Sequence, residues 1–180
     1  MNFFGHLKTV TRHRNRVMKH CFRVGLYSQG LRHDLSKFSL EEFIAGIKYY
    51  QGTRSPNAKE RELFGFSRAW MHHKGRNKHH FEYWSDVSRQ SGLYEPVEMP
   101  INYVAEMFCD RVAASEIYKG KDYTQDYPLQ YYRSGRACDS MHKNTAALLE
   151  SWLILLAEKG EDAAFTEVKK AVKLYKKNKR

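Results

Sequence analysis

Residues 100–120, PINYVAEMFCDRVAASEIYKG, decide how this chain folds. Proline heads the segment and glycine closes it, the arrangement that opens and ends α-helices. Between them Tyr103, Val104, Ala105, Met107, Phe108, Val112, Ala113, Ala114 and Ile117 cover most of a helix's circumference. The segment is therefore predicted to run through the centre of the fold rather than along its surface. Asp110 sits in the middle of it. A carboxylate there is costly unless a cation or hydrogen-bond donors compensate it, so Asp110 is half of a salt bridge or a metal ligand.

The pattern on either side is helical too. Over 3–28 the apolar residues Phe3, Leu7, Val10, Val17, Cys21 and Val24 recur at helical intervals, which predicts one long amphipathic helix. Ser39-Leu-Glu-Glu42 reads as a capping box opening a helix to about Tyr50, and Ser55-Pro56 opens a short helix through Leu63. Further helical segments are predicted over 67–73 and 79–88, followed by an irregular link over 92–99. The tyrosine-rich segment 121–137 reads as loop or short helix. From Asn144 or Thr145 a helix reaches Glu158, Gly160 stops it, and Asp162 starts a last one with Phe165, Val168, Val172 and Tyr175 on one face. No internal repeat and no alternating strand pattern stands out. The chain is predicted to be all-α, a single-domain helical bundle over 1–180 with packing helices over 142–178.

Composition narrows the class. A length of 180 residues suits one compact domain, and 42% hydrophobic with 28% charged residues excludes a disordered chain. The formal charge of +11 and a pI near 9.6 predict attraction to anions: nucleic acid, nucleotides, phosphorylated metabolites or an acidic membrane surface. Part of that excess lies in the last dozen residues, KKAVKLYKKNKR, where lysines also complement a helix dipole. The opening MNFFGHLKTVTRHRNR lacks the apolar core of a signal peptide, and the aliphatic run 152–157 is too short to span a bilayer. A cytoplasmic protein with no membrane insertion is expected. Cys21, Cys109 and Cys138 are odd in number and in no C-x-x-C pattern, which excludes a disulfide framework and a thiolate zinc site. They are expected to be reduced and buried.

The chemistry is concentrated in WMHHKGRNKHHFEYW, residues 70–84, where four of the nine histidines fall as His72-His73 and His79-His80. The turn Lys74-Gly75-Arg76-Asn77 lets the two pairs face each other. A second block, GLRHDLSKFS at 30–39, carries His33-Asp34. On the first helix His6, His13 and His20 are spaced by sevens, and His13 has Val10 and Val17 as same-face neighbours at the edge of the core. The candidate ligands are thus His13, with His6 and His20 as alternatives, then His33, Asp34, His73 or His72, His79 and His80, and Asp110. Imidazole and carboxylate together suit a divalent transition metal, Fe, Mn, Zn, Ni or Co, as one ion or as two bridged by Asp34. Lys37, Arg76 and Lys78 are candidates for holding phosphate oxygens, and Glu82, three residues after His79, for orienting a ligand imidazole.

In order, these residues resemble the HD-domain superfamily of metal-dependent phosphohydrolases. Those proteins are all-helical, with ligands running His, His-Asp, sometimes two further His, then a distal Asp. His13 with Val17 looks like the family's opening His-x-x-x-Val, and His33-Asp34-Leu-Ser-Lys37-Phe38 looks like its His-Asp-Ile-Gly-Lys segment. The stretch from Tyr103 to Asp110, continuing through Ala114 and Tyr118-Lys119, is similar to the helix of the cyclic-dinucleotide phosphodiesterase branch that carries the last Asp. Lys74-Gly75-Arg76-Asn77 replaces that branch's glycine-tyrosine-proline signature, so the branch itself is not implied. The likeness covers about 11–123. The whole chain also looks like an uncharacterised bacterial and phage family sharing the HDLSKF and HHKGRNKHHFEYW blocks.

The resemblance implies a hydrolase acting on a nucleotide or another phosphorylated small molecule through a metal-activated water. A few HD-domain proteins with two extra histidines are di-iron oxygenases, which is the alternative enzyme class. A third reading is a basic nucleic-acid-binding module with a structural metal, which the interleaved Tyr49, Tyr50, Arg54 and the segment 123–133 permit.

Overall fold

The computed structural model describes residues 1–179. Its helices are α1 (Phe3–Arg23), α2 (Tyr27–Arg32), α3 (Leu40–Tyr49), α4 (Pro56–Phe64), α5 (Arg68–Lys74), α6 (Ile101–Lys119), α7 (Tyr127–Ser134) and α8 (Lys143–Asn178). The segment quoted first is α6, and it lies between α1 and α8 as its all-round apolar surface requires. Val104, Phe108 and Val112 are fully buried against Val17 and Cys21 of α1 and Leu149, Leu153 and Leu156 of α8. Each such aliphatic or aromatic side chain contributes about 1.5–3 kcal/mol by leaving water, which makes this three-helix contact the main source of stability. The all-α, single-domain bundle is what forms.

One boundary differs from the predicted one for an identifiable reason. The first helix stops at Arg23, not Ser28, because Gly25 turns left-handed at φ 80°. The Leu26 N–H then donates to the Cys21 carbonyl at 2.8 Å and the Gly25 N–H to Phe22 at 3.1 Å, a Schellman closure that satisfies two terminal carbonyls. The chain reverses there into α2, which packs back on α1 and brings His33-Asp34 to its side.

The helix predicted over 79–88 does not form. A short 3-10 turn, Phe81–Tyr83, is followed by an antiparallel hairpin of β1 (Ser85–Val87) with β2 (Tyr94–Pro96), in which Val87 faces Tyr94. Gly92 at φ 70° closes its turn, and the Ser88 N–H donates to the Leu93 carbonyl at 2.9 Å. All six strand residues are exposed, so the sequence had no alternating apolar face to show.

The two packing helices predicted at the C-terminal end form as the two arms of α8, separated at Gly160 (φ 85°, ψ 175°), whose backbone is not helical. Past that break Ala164, Phe165, Val168 and Val172 fold back into the core, with Phe165 under the Arg23 guanidinium at 3.9 Å. Among the described residues no helix is long and apolar enough to cross a membrane. Cys21 and Cys109 are free and buried as expected, whereas Cys138 is only half-buried, on a surface 3-10 turn.

Candidate metal centre

Four separate stretches deliver imidazoles and carboxylates to one point inside the bundle. Asp34 is at the centre of them and 1% exposed. Its Oδ1 lies 3.3 Å from His73 Nε2 and 3.4 Å from His79 Nε2. Its Oδ2 lies 3.4 Å from His33 Nε2, 3.9 Å from His13 Nε2 and 2.7 Å from Lys37 Nζ. Asp110 closes the second side, with Oδ1 2.9 Å from His13 Nε2 and 3.7 Å from His33 Nε2. His80 joins the first side, so that one ligand atom each of Asp34, His73, His79 and His80 lies within 4.8 Å of the others, as do those of His13, His33 and Asp110. Asp34 stands between the two.

Local structure explains the convergence. His33 caps α2 in an extended conformation, and Asp34 follows in the left-handed region at φ 53°, which swings its carboxylate inward. His73 sits in the last turn of α5, and the turn after it returns His79 to the same cavity, where the two rings are 6.3 Å apart. Asn77 fixes that turn by donating from Nδ2 to the His73 carbonyl at 2.8 Å. His13 and Asp110 face each other across the α1–α6 contact.

The decisive detail is which atoms lack partners. His33 Nε2, His79 Nε2, His80 Nε2 and Asp34 Oδ1 are buried with no hydrogen-bond partner, and Asp34 Oδ2 has the Lys37 ammonium at 2.7 Å. Leaving four polar atoms dry and unpaired in one place is expensive, and polar groups in protein interiors are normally satisfied. The far sides of the same rings are well held. His33 Nδ1–H donates to Glu106 Oε1 at 3.0 Å, with His79 Nδ1 3.3 Å from the same oxygen, and His73 Nδ1–H donates to Glu42 Oε2 at 2.7 Å. A carboxylate on Nδ1 fixes the tautomer that leaves the Nε2 lone pair free, the arrangement found behind metal-ligating histidines. A divalent transition metal, or two sharing Asp34, fits this donor set.

Charge follows the same geometry. Burial works against ionisation at Asp34 and Asp110, but the surrounding imidazoles, and Lys37 beside Asp34, hold both carboxyls well below the usual range. Burial also opposes the His33 cation; Asp34, Asp110 and Glu106 outweigh it and raise its pKa to about 10. His80 is pushed well below 6.5 by burial and by the charges of His79 and His73, so it is neutral.

Of the sequence-predicted residues, His13, His33, Asp34, His73, His79, His80 and Asp110 are brought together, with Lys37 at the rim. His72 is not: it turns to Glu42 Oε1 at 2.6 Å and Glu41 at 3.5 Å. His6 packs among Phe43 and Tyr50, and His20 pairs with Glu116 at 2.9 Å, so His13 is the first residue of the set. Arg76 and Lys78 must be corrected. Both are exposed on the turn, Arg76 donating to the His72 carbonyl at 3.3 Å and Lys78 lying 5.6 Å from the Tyr83 ring, because a turn that buries Asn77 points its neighbours outward. Glu82 is also corrected: with no helix over 79–88 it shares no face with His79, and it makes no contact with a ligand ring. Glu42 and Glu106 hold the rings instead.

A family profile matches residues 2–154, which include every residue of the cluster. The chain belongs to DUF5662, a family of unknown function. No curated protein matches it, and no solved structure does. The DUF5662 match ends before the Gly160 break in α8.

Proposed function

We propose that the protein is a metal-dependent phosphohydrolase acting on a nucleotide or another phosphate ester. One observation supports this above the others: Asp34 turns Oδ1 toward His73 and His79 and Oδ2 toward His33, and the Nε2 atoms of His79 and His33 are buried without hydrogen-bond partners. That is a ligand arrangement for a pair of ions, and the order His13, His33-Asp34, His73, His79 and Asp110 keeps the likeness to HD-domain phosphohydrolases noted in the sequence. When bound, such ions supply Lewis acidity and a water acidic enough to lose its proton near neutral pH.

The chain's own groups do the rest. Glu106 and Glu42 orient three imidazoles through their Nδ1 hydrogens. Lys37 is 29% exposed at its side chain while Asp34 beneath it is 1% exposed, so its ammonium forms the positive edge of the site facing solvent. Asp110, 18% exposed, marks the same opening. The Trp70 ring packs on those of His80 and His73, at 4.8 and 5.6 Å.

The test is metal analysis of untagged protein beside Asp34→Asn, with hydrolysis of p-nitrophenyl phosphate and a panel of nucleotides measured on both. Stoichiometric metal and turnover in the wild type, both lost in Asp34→Asn and after chelation, are expected. Equal, near-zero metal in both preparations would remove the reading. Stoichiometric iron with oxygen uptake and no hydrolysis would replace it by an oxygenase.

A further inference from the structure

Arg111 is a partly buried cation one residue past the candidate ligand Asp110. It follows Asp110 on α6, so its side chain leaves the helix about 100° round from that carboxylate. The guanidinium lies with its central carbon 5.4 Å from the Tyr132 ring centre. Its Nε is buried with no hydrogen-bond acceptor, and it forms no ion pair among the described residues. Glu82, whose charge it feels, does not close on it; Oε2 of Glu82 is itself buried and unpartnered. The residue is partly exposed, and the unusual feature is the dry Nε without an acceptor, since buried polar atoms are ordinarily satisfied.

Other cations near the opening are committed. Lys37 is bound to Asp34 at 2.7 Å and Arg14 donates to the His33 carbonyl at 3.2 Å. A phosphate entering beside Asp110 would find Arg111 as a cation with unused donors. A guanidinium over an aromatic face offers two parallel N–H groups, which match two free oxygens on one phosphorus. A phosphate monoester has those oxygens and one more; an internal diester has only two, both needed at the centre. We propose that Arg111 is the substrate's phosphate anchor and that it selects terminal phosphate monoesters. This rests on the hydrolase reading and narrows its substrate class.

The probe is inorganic phosphate, titrated calorimetrically into metal-loaded full-length wild type, Arg111→Gln and Arg111→Lys, with metal content and melting temperature recorded for each. Loss of the charged, forked contact is expected to weaken phosphate binding at least about tenfold in Arg111→Gln. The lysine variant, which keeps charge but not fork geometry, is expected to fall between the two. Metal content should be unchanged in all three, and Arg111→Gln should melt no lower than wild type.

Phosphate affinity within about twofold of wild type in Arg111→Gln overturns the assignment, and so does a lower melting temperature with unchanged affinity, the mark of a packing role. If Arg111→Gln does not fold, Arg111→Lys decides: wild-type affinity there overturns the forked contact. Arg111-dependent phosphate binding in a protein that holds no metal would support the anion site while ending the hydrolase reading. Metal with hydrolysis that ignores Arg111 would do the reverse.

Discussion

Replacing Glu106 by Gln is the sharpest probe of the ring-holding carboxylates. The two side chains have nearly the same shape, so the perturbation is electronic. Oε1 of Glu106 faces Nδ1 of His33 at 3.0 Å and of His79 at 3.3 Å, and Oε2 accepts from Gln29 Nε2 at 2.6 Å. A glutamine offers one oxygen and one NH2. If the NH2 faces the imidazoles, both rings must move their proton to Nε2, the atom aimed at Asp34, and two donor lone pairs are lost. If it faces Gln29, that amide must flip, although its Oε1 already accepts from Asn102 Nδ2 at 3.1 Å. Either way a charged acceptor becomes a neutral one. Loss of such a partner behind ligating histidines costs about 10- to 100-fold in metal affinity, or about 1.4–2.8 kcal/mol. Competition against a chromophoric chelator measures this directly, with Co2+ as the reporting ion. Affinity within about twofold of wild type, in a variant that is folded, would show that Glu106 does not tune the centre and would refute the reasoning.

Three further outcomes follow from the geometry. His6 has its pKa lowered to about 4 by burial, with the charge of Lys37 adding, against 6.5 when unfolded. The unfolded chain therefore takes up this proton first: stability is unaffected above pH 6.5, falls between 6.5 and 4, and has lost no more than about 3 kcal/mol below that. Denaturant melts from pH 7 to 4 should show a shallower decline for His6→Gln, and equal declines would dismiss the idea. Gly46→Ala places a Cβ 2.1 Å from His6 Nε2. The ring is confined by Phe43 and Tyr50, so overpacking of about 1–3 kcal/mol should exceed the roughly 1 kcal/mol that alanine gains in a helix, and a melting temperature at or above wild type would contradict this. The pair Arg76→Ala and Lys78→Ala, on an exposed turn, should leave metal content and any turnover within about twofold; a tenfold loss of turnover would return them to the site.

The sequence made the ligand set legible because histidines in pairs, an adjacent His-Asp and an aspartate inside an apolar helix are rare enough to stand out. It hid Glu42 and Glu106 behind ordinary explanations. Glu42 reads as the far half of a capping box, yet only half forms: the Glu42 N–H reaches Ser39 Oγ at 3.4 Å while the carboxylate goes to His72 and His73. Glu106 stands four residues before Asp110, one turn along the same helix, and a second carboxylate at that offset on a buried helix was the available signal. Arg76 and Lys78 misled because a basic turn beside histidines looks like a phosphate clamp until direction is known. The helices were readable wherever periodicity ran longer than two turns. The 79–88 stretch failed because its hairpin exposes every strand residue, so neither period was written in it.

The backbone at Asp34 bears on how the site can vary. With φ at 53°, the residue occupies a conformation that glycine and asparagine enter with ease and that side chains branched or bulky at the β-carbon resist, at roughly 1–2 kcal/mol. A library randomised at this codon should therefore sort on two axes. Asparagine and glycine should be retained by any screen for soluble expression and discarded by a screen for metal, whereas valine and isoleucine should vanish from both. Aspartate alone combines the permitted torsion with a two-pronged anion.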